Sequence, residues 1–234
     1  MPINKVYLAD CMDIMKNMPD KSVDLCIVDP PYGINVDGVN PIANKSGDLN
    51  HNYDHSKKWD TCIPDISYFN ELKRISKNQI IWGGNYYLDI LGYCKAPIIW
   101  NKLNGDSMYA DGEMAWTSRG LPRNLRIWSH QWCGAFKASE RGAEKIHPTQ
   151  KPIALYKWLL KNYAKPNDKI FDSHVGSGSI RIACHDMGFD FEGCEIDKDY
   201  WEAQEARYLQ HIQQASLFSS DEIQASVYAD RELL

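Results

Sequence analysis

Four groups of residues in this 234-residue chain have types and spacings suited to chemistry. The first is Leu25-Cys26-Ile27-Val28-Asp29-Pro30-Pro31-Tyr32-Gly33. Its four apolar residues predict a buried strand. The two prolines stop that strand, because each fixes φ and lacks a backbone N–H. Asp29 and Tyr32 are therefore presented on a stiff turn at a strand's carboxyl end, the edge where an open α/β sheet binds ligands. A short acid, a rigid turn and a flat ring suit a flat heterocycle bearing an amino group. An ordinary strand-ending turn would show the same prolines.

The second group is Asp172 with the loop Ser173 to Ser179, which contains Gly176, Ser177 and Gly178. A strand over Lys169–Asp172 precedes it, and a helix over Ile180–Met187 follows. Strand, glycine-containing loop and helix in succession bring a cofactor against backbone amides. The third is Glu195, at the end of a strand over Asp190–Cys194, where an acid suits ribose hydroxyls. The fourth is His147-Pro148-Thr149-Gln150-Lys151-Pro152, ahead of a helix that runs to about Tyr163. Pro152 suits the first helical position, and Thr149 lies where a helix N-terminus attracts a carboxylate. Asp10 follows a short strand, Lys5–Leu8, and can face a cofactor or cap a helix.

The elements that must position these groups read as one α/β domain. Strands at Val23–Val28, Gln79–Trp82, Pro97–Trp100, Glu113–Thr117 and Leu125–Trp128 join those above. A helix over Ser67–Ser76 turns Phe69, Leu72 and Ile75 inward. Gly83-Gly84 after the third strand marks a close backbone approach or a plain tight turn. Residues 34–64 show no period and hold Lys45, His51, His55, Lys57 and Lys58 interleaved with Tyr53 and Trp59. That mixture suits phosphate contact and base stacking along a nucleic-acid strand. Tyr200–Gln213 predicts a polar-faced helix, and 215–234 reads as a tail. No apolar run approaches the ~20 residues of a membrane span, and no apolar leader opens the chain, so a cytoplasmic protein is expected. The seven cysteines lack zinc-site spacing, so no metal is expected. A net charge of −5 counts mildly against a nucleic-acid partner without excluding one.

Together these groups resemble the S-adenosylmethionine-dependent amino-methyltransferases of DNA. Asp29-Pro30-Pro31-Tyr32 matches their catalytic motif. Phe171-Asp172 with Val175-to-Ser179 is similar to their cofactor loop, Glu195-Ile196-Asp197 with Tyr200 to their ribose segment, and His147-to-Pro152 to a segment preceding the cofactor loop. The catalytic motif comes first, which is the β-type order. The resemblance implies a Rossmann-like methyltransferase fold with a mostly parallel, doubly wound and circularly permuted sheet over residues 1–214. It implies S-adenosyl-L-methionine as cofactor and double-stranded DNA as partner, with 34–64 and 101–145 as recognition segments. A homodimer is a further expectation. It assigns Asp29, Pro30, Pro31 and Tyr32 to catalysis. It assigns Asp10, His147, Thr149, Lys151, Asp172, Gly176, Ser177, Gly178 and Glu195 to the cofactor, with Lys151 supporting the loop. Asp at the first motif position implies adenine N6 as acceptor. Cytosine N4, an RNA or protein amide, and a catalytically weak partner subunit are the alternatives. One departure stands out. The family's Asp-Pro-Phe is here Asp172-Ser173-His174, which predicts a looser loop and altered cofactor affinity.

Overall fold

A computed structural model describes residues 2–35, 59–105, 110–122, 124–133, 136–140 and 145–229. Its elements in chain order are β1 (Asn4–Leu8), α1 (Cys11–Met15), β2 (Val23–Val28), α2 (Ile66–Ile75), β3 (Ser76–Trp82), α3 (Leu88–Leu91), β4 (Ile98–Asn101), β5 (Gly112–Thr117), β6 (Arg126–Ser129), β7 (Trp132–Cys133), β8 (Phe136–Lys137), α4 (Ile153–Tyr163), β9 (Lys169–Asp172), α5 (Ser179–Met187), β10 (Asp190–Glu195) and α6 (Lys198–Ala229).

Eight strands form one sheet in the order β1-β10-β9-β2-β3-β5-β4-β6. β5 alone runs against the others, pairing antiparallel with both β3 and β4. β2 and β9 are neighbours although most of the chain separates them, with Leu25 opposite Ile170 and Cys26 opposite Phe171. The strand bearing the proline turn therefore lies beside the strand bearing the glycine loop, in the permuted chain order.

Both faces of the sheet are covered, which is why its inner strands are almost continuously apolar. Leu25 and Ile27 of β2 pack with Leu155 and Leu159 of α4 and Ile180 of α5. Cys26 and Val28 point the other way, into Phe69, Leu72 and Ile75 of α2. That alternation is the period-two geometry of a strand. Each fully buried Leu or Ile contributes roughly 1.5–3 kcal/mol relative to exposure.

Local signals set most helix boundaries. Asp10 caps α1 by accepting from Met12 N at 2.8 Å, and Asp65 caps α2 through Ser67 N at 2.8 Å. Pro152 is the N-cap of α4, with extended backbone, and not its first helical residue. Glu140 accepts from Ile153 N at 2.8 Å and so supplies the cap that proline cannot. α6 continues to Ala229, beyond the expected end near Gln213, so 215–229 is helical backbone. No Pro or Gly from Lys198 to Ala229 interrupts it. Among the described residues no helix is long and apolar enough to cross a membrane. The expected contacts of Lys45, His51, Tyr53, His55, Lys57 and Lys58 lie outside the described residues. Residues 101–145 supply β5 and β6 to the sheet and the β7–β8 pair.

Gly193 in β10 sits under the glycine loop. A Cβ there would meet the Val175 side chain at 2.4 Å and the Asp172 carbonyl oxygen at 2.8 Å. Gly193→Ala is therefore predicted to overpack the loop, costing about 1–3 kcal/mol. In a chain of this size ~1 kcal/mol lowers Tm by about 2–4 °C. A melting curve that matched the parent's would contradict the packing.

Candidate active site

The carboxyl ends of β2, β9 and β10 bring Asp29, Asp172 and Glu195 to one edge of the sheet. The turn after β2 is braced from two sides. Asp60 Oδ1 accepts from Tyr32 N at 2.6 Å and from Gly33 N at 2.8 Å. Tyr87 OH donates to the carbonyls of Pro30 and Pro31, at 2.8 and 2.6 Å. Gly83 has a φ of 70°, and a Cβ on it would come within 2.3 Å of the Tyr32 ring. The glycine thus serves a close approach. Tyr86 stacks on Tyr32 with centroids 5.0 Å apart and planes 20° apart.

Tyr32 OH donates to Asp29 Oδ1 at 2.5 Å, and Lys151 Nζ donates to Asp29 Oδ2 at 2.5 Å. Lys151 also reaches Glu113 Oε2 at 2.9 Å, and Lys102 pairs with Glu113 Oε1 at 2.5 Å. Lys151 was expected with the cofactor set; the structure puts its ammonium on Asp29. Burial pushes the Asp29 carboxyl above the usual carboxylate range. Lys151 opposes that push, and Glu113 adds to it. Burial pushes Glu113 up as well, but two lysines outweigh it and hold Glu113 down at about 2.

The neighbouring group gathers around the glycine loop. Glu195 Oε2 accepts from Gly176 N at 2.8 Å, and Oε1 accepts from Asp197 N at 2.9 Å. Gly176 and Gly178 have φ of 51° and 72°, the left-handed region that favours glycine. Gly178 is the N-cap of α5, and the Ser177 hydroxyl lies 3.2 Å from that of Ser179. The His147 ring lies 3.5 Å from where a Gly176 Cβ would stand. It packs edge-on against Tyr200 at 4.4 Å and tilted against Trp59 at 5.4 Å. Trp59, expected as a stacking residue for a nucleic acid, thus lies on the loop side. Thr149 Oγ is 3.1 Å from His147 Nδ1. Asp10 caps α1, and its carboxylate lies close enough to act on the charge of His174.

Ser173 and His174 do not leave the loop loose. Ser173 is buried, with its hydroxyl 2.7 Å from Tyr68 OH and 2.9 Å from His174 Nδ1. Burial pulls His174 down to about 4, so the ring is neutral at physiological pH. Asp172 is pushed by burial up to about 8, against the pull of the His174 backbone N–H on its Oδ1 at 2.9 Å; Asp29 and Glu195 raise it further.

Residues 116–206 match the DNA methylase family of N6 and N4 enzymes. The chain is 25% identical to the Type II methyltransferase M.HinfI of Haemophilus influenzae, over 88% of this chain and 68% of that protein. It is 23% identical to the Type II methyltransferase M1.MboII of Moraxella bovis, over 86% of this chain and 94% of that protein. Over these spans the chain is similar to DNA methylases and to Type II methyltransferases. Two solved structures share its fold. M1.HpyAVI in complex with SAM superposes with a TM-score of 0.52, 23% identity, and coverage of 87% of this chain and 98% of that one. The PvuII DNA methyltransferase, described as cytosine-N4-specific, gives 0.55 at 13% identity, covering 89% and 87%.

The site suits this family's cofactor on electrostatic grounds. Burial raises the proton affinity of Asp29, Asp172 and Glu195, and the charges of Asp29 and Glu195 raise that of Asp172 further. S-adenosylmethionine carries a sulfonium and an ammonium, cations that relieve such crowding. Sequence reading missed Glu113, Lys102, Asp60, Tyr68, Tyr86 and Tyr87, none of which stands in a motif. The Gly83-Gly84 pair was the one signal that something packs closely after β3.

The folded-state pKa of Asp172 lies above its unfolded value. Its contribution to stability is therefore full below the unfolded pKa and is lost as pH rises through about 8. The protein without cofactor is predicted to lose Tm between pH 7 and 9, a window above the His174 titration. Asp172→Asn should flatten that loss and raise Tm at pH 9 by at least about 2–4 °C, the effect of ~1 kcal/mol. Equal slopes for the two proteins in a thermal melt series would remove Asp172 as the cause.

Proposed function

We propose that this chain transfers a methyl group from S-adenosyl-L-methionine to the exocyclic N6 of adenine at a specific sequence in double-stranded DNA. The observation that carries the reading is the β2–β9 pairing. It sets the Asp29-Pro30-Pro31-Tyr32 turn beside the Asp172 loop. Asp at the head of the turn favours adenine, through the resemblance to adenine-type motifs.

Glu195, the Gly176-to-Gly178 backbone, Asp172, His147, Thr149 and Asp10 would hold the cofactor, which when bound supplies an electrophilic methyl on sulfur. An adenine amino group is a poor nucleophile because its lone pair is delocalised into the ring. The Asp29 carboxylate and the Pro30 carbonyl would accept its two hydrogens, draw the nitrogen toward tetrahedral geometry and stabilise the positive charge that develops there. Pro30 has capacity for this, since a carbonyl has two lone pairs and Tyr87 takes one. The base must leave the duplex, at a few kcal/mol of unstacking. Tyr32, with Tyr86 beside it, offers the aromatic surface that offsets part of this. Residues 34–64 and 101–145 would read the DNA.

The decisive experiment incubates the protein with labelled S-adenosylmethionine and unmethylated DNA of mixed sequence, then identifies the methylated nucleoside. N6-methyladenine is expected. N4-methylcytosine would move the reading to the other base, an outcome in keeping with the fold shared with the PvuII enzyme. The absence of product would falsify the enzymatic reading. Asp29→Ala is predicted to lower transfer by at least ~10²–10³-fold, the scale of removing a transition-state acceptor, with cofactor affinity changed only a few-fold. Parallel loss of both, by calorimetry and single-turnover rate, would contradict that role. Glu195→Ala is predicted to weaken cofactor binding by about tenfold or more, as expected for a lost charged hydrogen bond. An unchanged Kd would take Glu195 out of the site.

A further inference from the structure

Asp29 accepts an amino hydrogen most strongly as a carboxylate, yet its burial favours the neutral form. The groups facing it come from several elements. Tyr32 OH lies on its own turn, and Lys151 comes from the segment before α4. Glu113 is on β5, Asp172 on β9, Tyr87 follows β3 and Tyr156 is on α4. Lys102, after β4, stands behind Glu113. Lys151 is thus the one cation in direct contact with Asp29 among the described residues. Its side chain is 3% exposed, so water does little to screen the pair.

We propose that Lys151 and Glu113 are positioning residues that set the charge and orientation of Asp29. Lys151 keeps the carboxylate ionised and fixes Oδ2. Glu113, 2.9 Å from the same ammonium, fixes Lys151 and limits how far it neutralises Asp29. Lys102 holds Glu113 in turn, so charge alternates along Asp29, Lys151, Glu113 and Lys102. A substrate amine that approaches Asp29 meets an acceptor already oriented. Lys151 has a second carboxylate to lean on if the amine displaces it. The catalytic part of this assignment rests on the methyl-transfer reading; the electrostatic part does not.

The two residues make opposite predictions. Removing the positive partner should raise the pKa of Asp29, and removing the second negative charge should lower it. Carboxyl ¹³C NMR titration of the protein without cofactor measures this directly, with the Asp29 signal assigned by its loss in Asp29→Asn. Lys151→Met should raise the Asp29 pKa by more than about one unit, a tenfold change in proton affinity. Glu113→Gln should lower it, and Lys151→Arg should leave it near the parent value. If Lys151→Met does not fold, the downward shift in Glu113→Gln and the rescue by Lys151→Arg still decide the matter. An Asp29 pKa that stays put in Glu113→Gln, or rises, overturns the proposal.

The second readout is the pH profile of single-turnover methylation of unmethylated plasmid DNA. Its acid limb should move with the NMR pKa in each variant, while cofactor affinity changes by less than about threefold. A limb that ignores the NMR shift overturns the positioning role. Shifts of the predicted signs in a protein that methylates no DNA would uphold the electrostatic assignment and defeat the functional reading instead.

Discussion

The site depends on one strand pairing. β2 and β9 lie side by side and in register, so the turn after Val28 and the loop after Asp172 open at the same height on the same edge. Parallel pairing is required for this, because an antiparallel partner would carry its loop to the opposite edge. The pairing also explains why both strands are so apolar. Each is covered by helices on two faces, and the polar work is deferred to the residues immediately beyond their ends.

Putting two such loops together concentrates negative charge. Asp29, Asp172 and Glu195 all end strands in the same region, and burial raises each of them. The fold answers this crowding in different ways. Asp29 receives Lys151, Glu195 receives two backbone N–H groups, and Asp172 receives one N–H and takes up a proton readily. Graded compensation of this kind leaves the site short of positive charge around Asp172. That deficit suits a cationic cofactor better than a phosphate-rich one.

Rigidity at the turn has a similar shared origin. The prolines stiffen it from within, while Asp60 and Tyr87 tie its amides and carbonyls from outside. Gly83 lets the Tyr32 ring lie against the backbone after β3. At the glycine loop, the change from Pro-Phe to Ser173-His174 is accommodated by Tyr68, which supplies a hydroxyl partner at the position a proline would have left apolar. A substitution that reads as a loss of stiffness becomes a buried hydrogen-bonded link.

The sequence by itself determined the features that act over a few residues. Asp29 and Tyr32 were legible because prolines stop strands wherever they fall. The loop around Gly176 and Gly178 was legible because only glycine enters left-handed φ without strain. The apolar runs named the strands, and Phe69, Leu72 and Ile75 named the buried face of α2. Pairings across the chain were not legible. Lys151 lies 122 residues from Asp29, and no local rule says which buried ammonium meets which acid. Glu113 reaches the site only because β5 runs backwards, which brings its first residues to the edge where the other strands end. Strand direction is set by how the whole sheet closes its hydrogen bonds and covers its faces, and that is decided only in the tertiary structure.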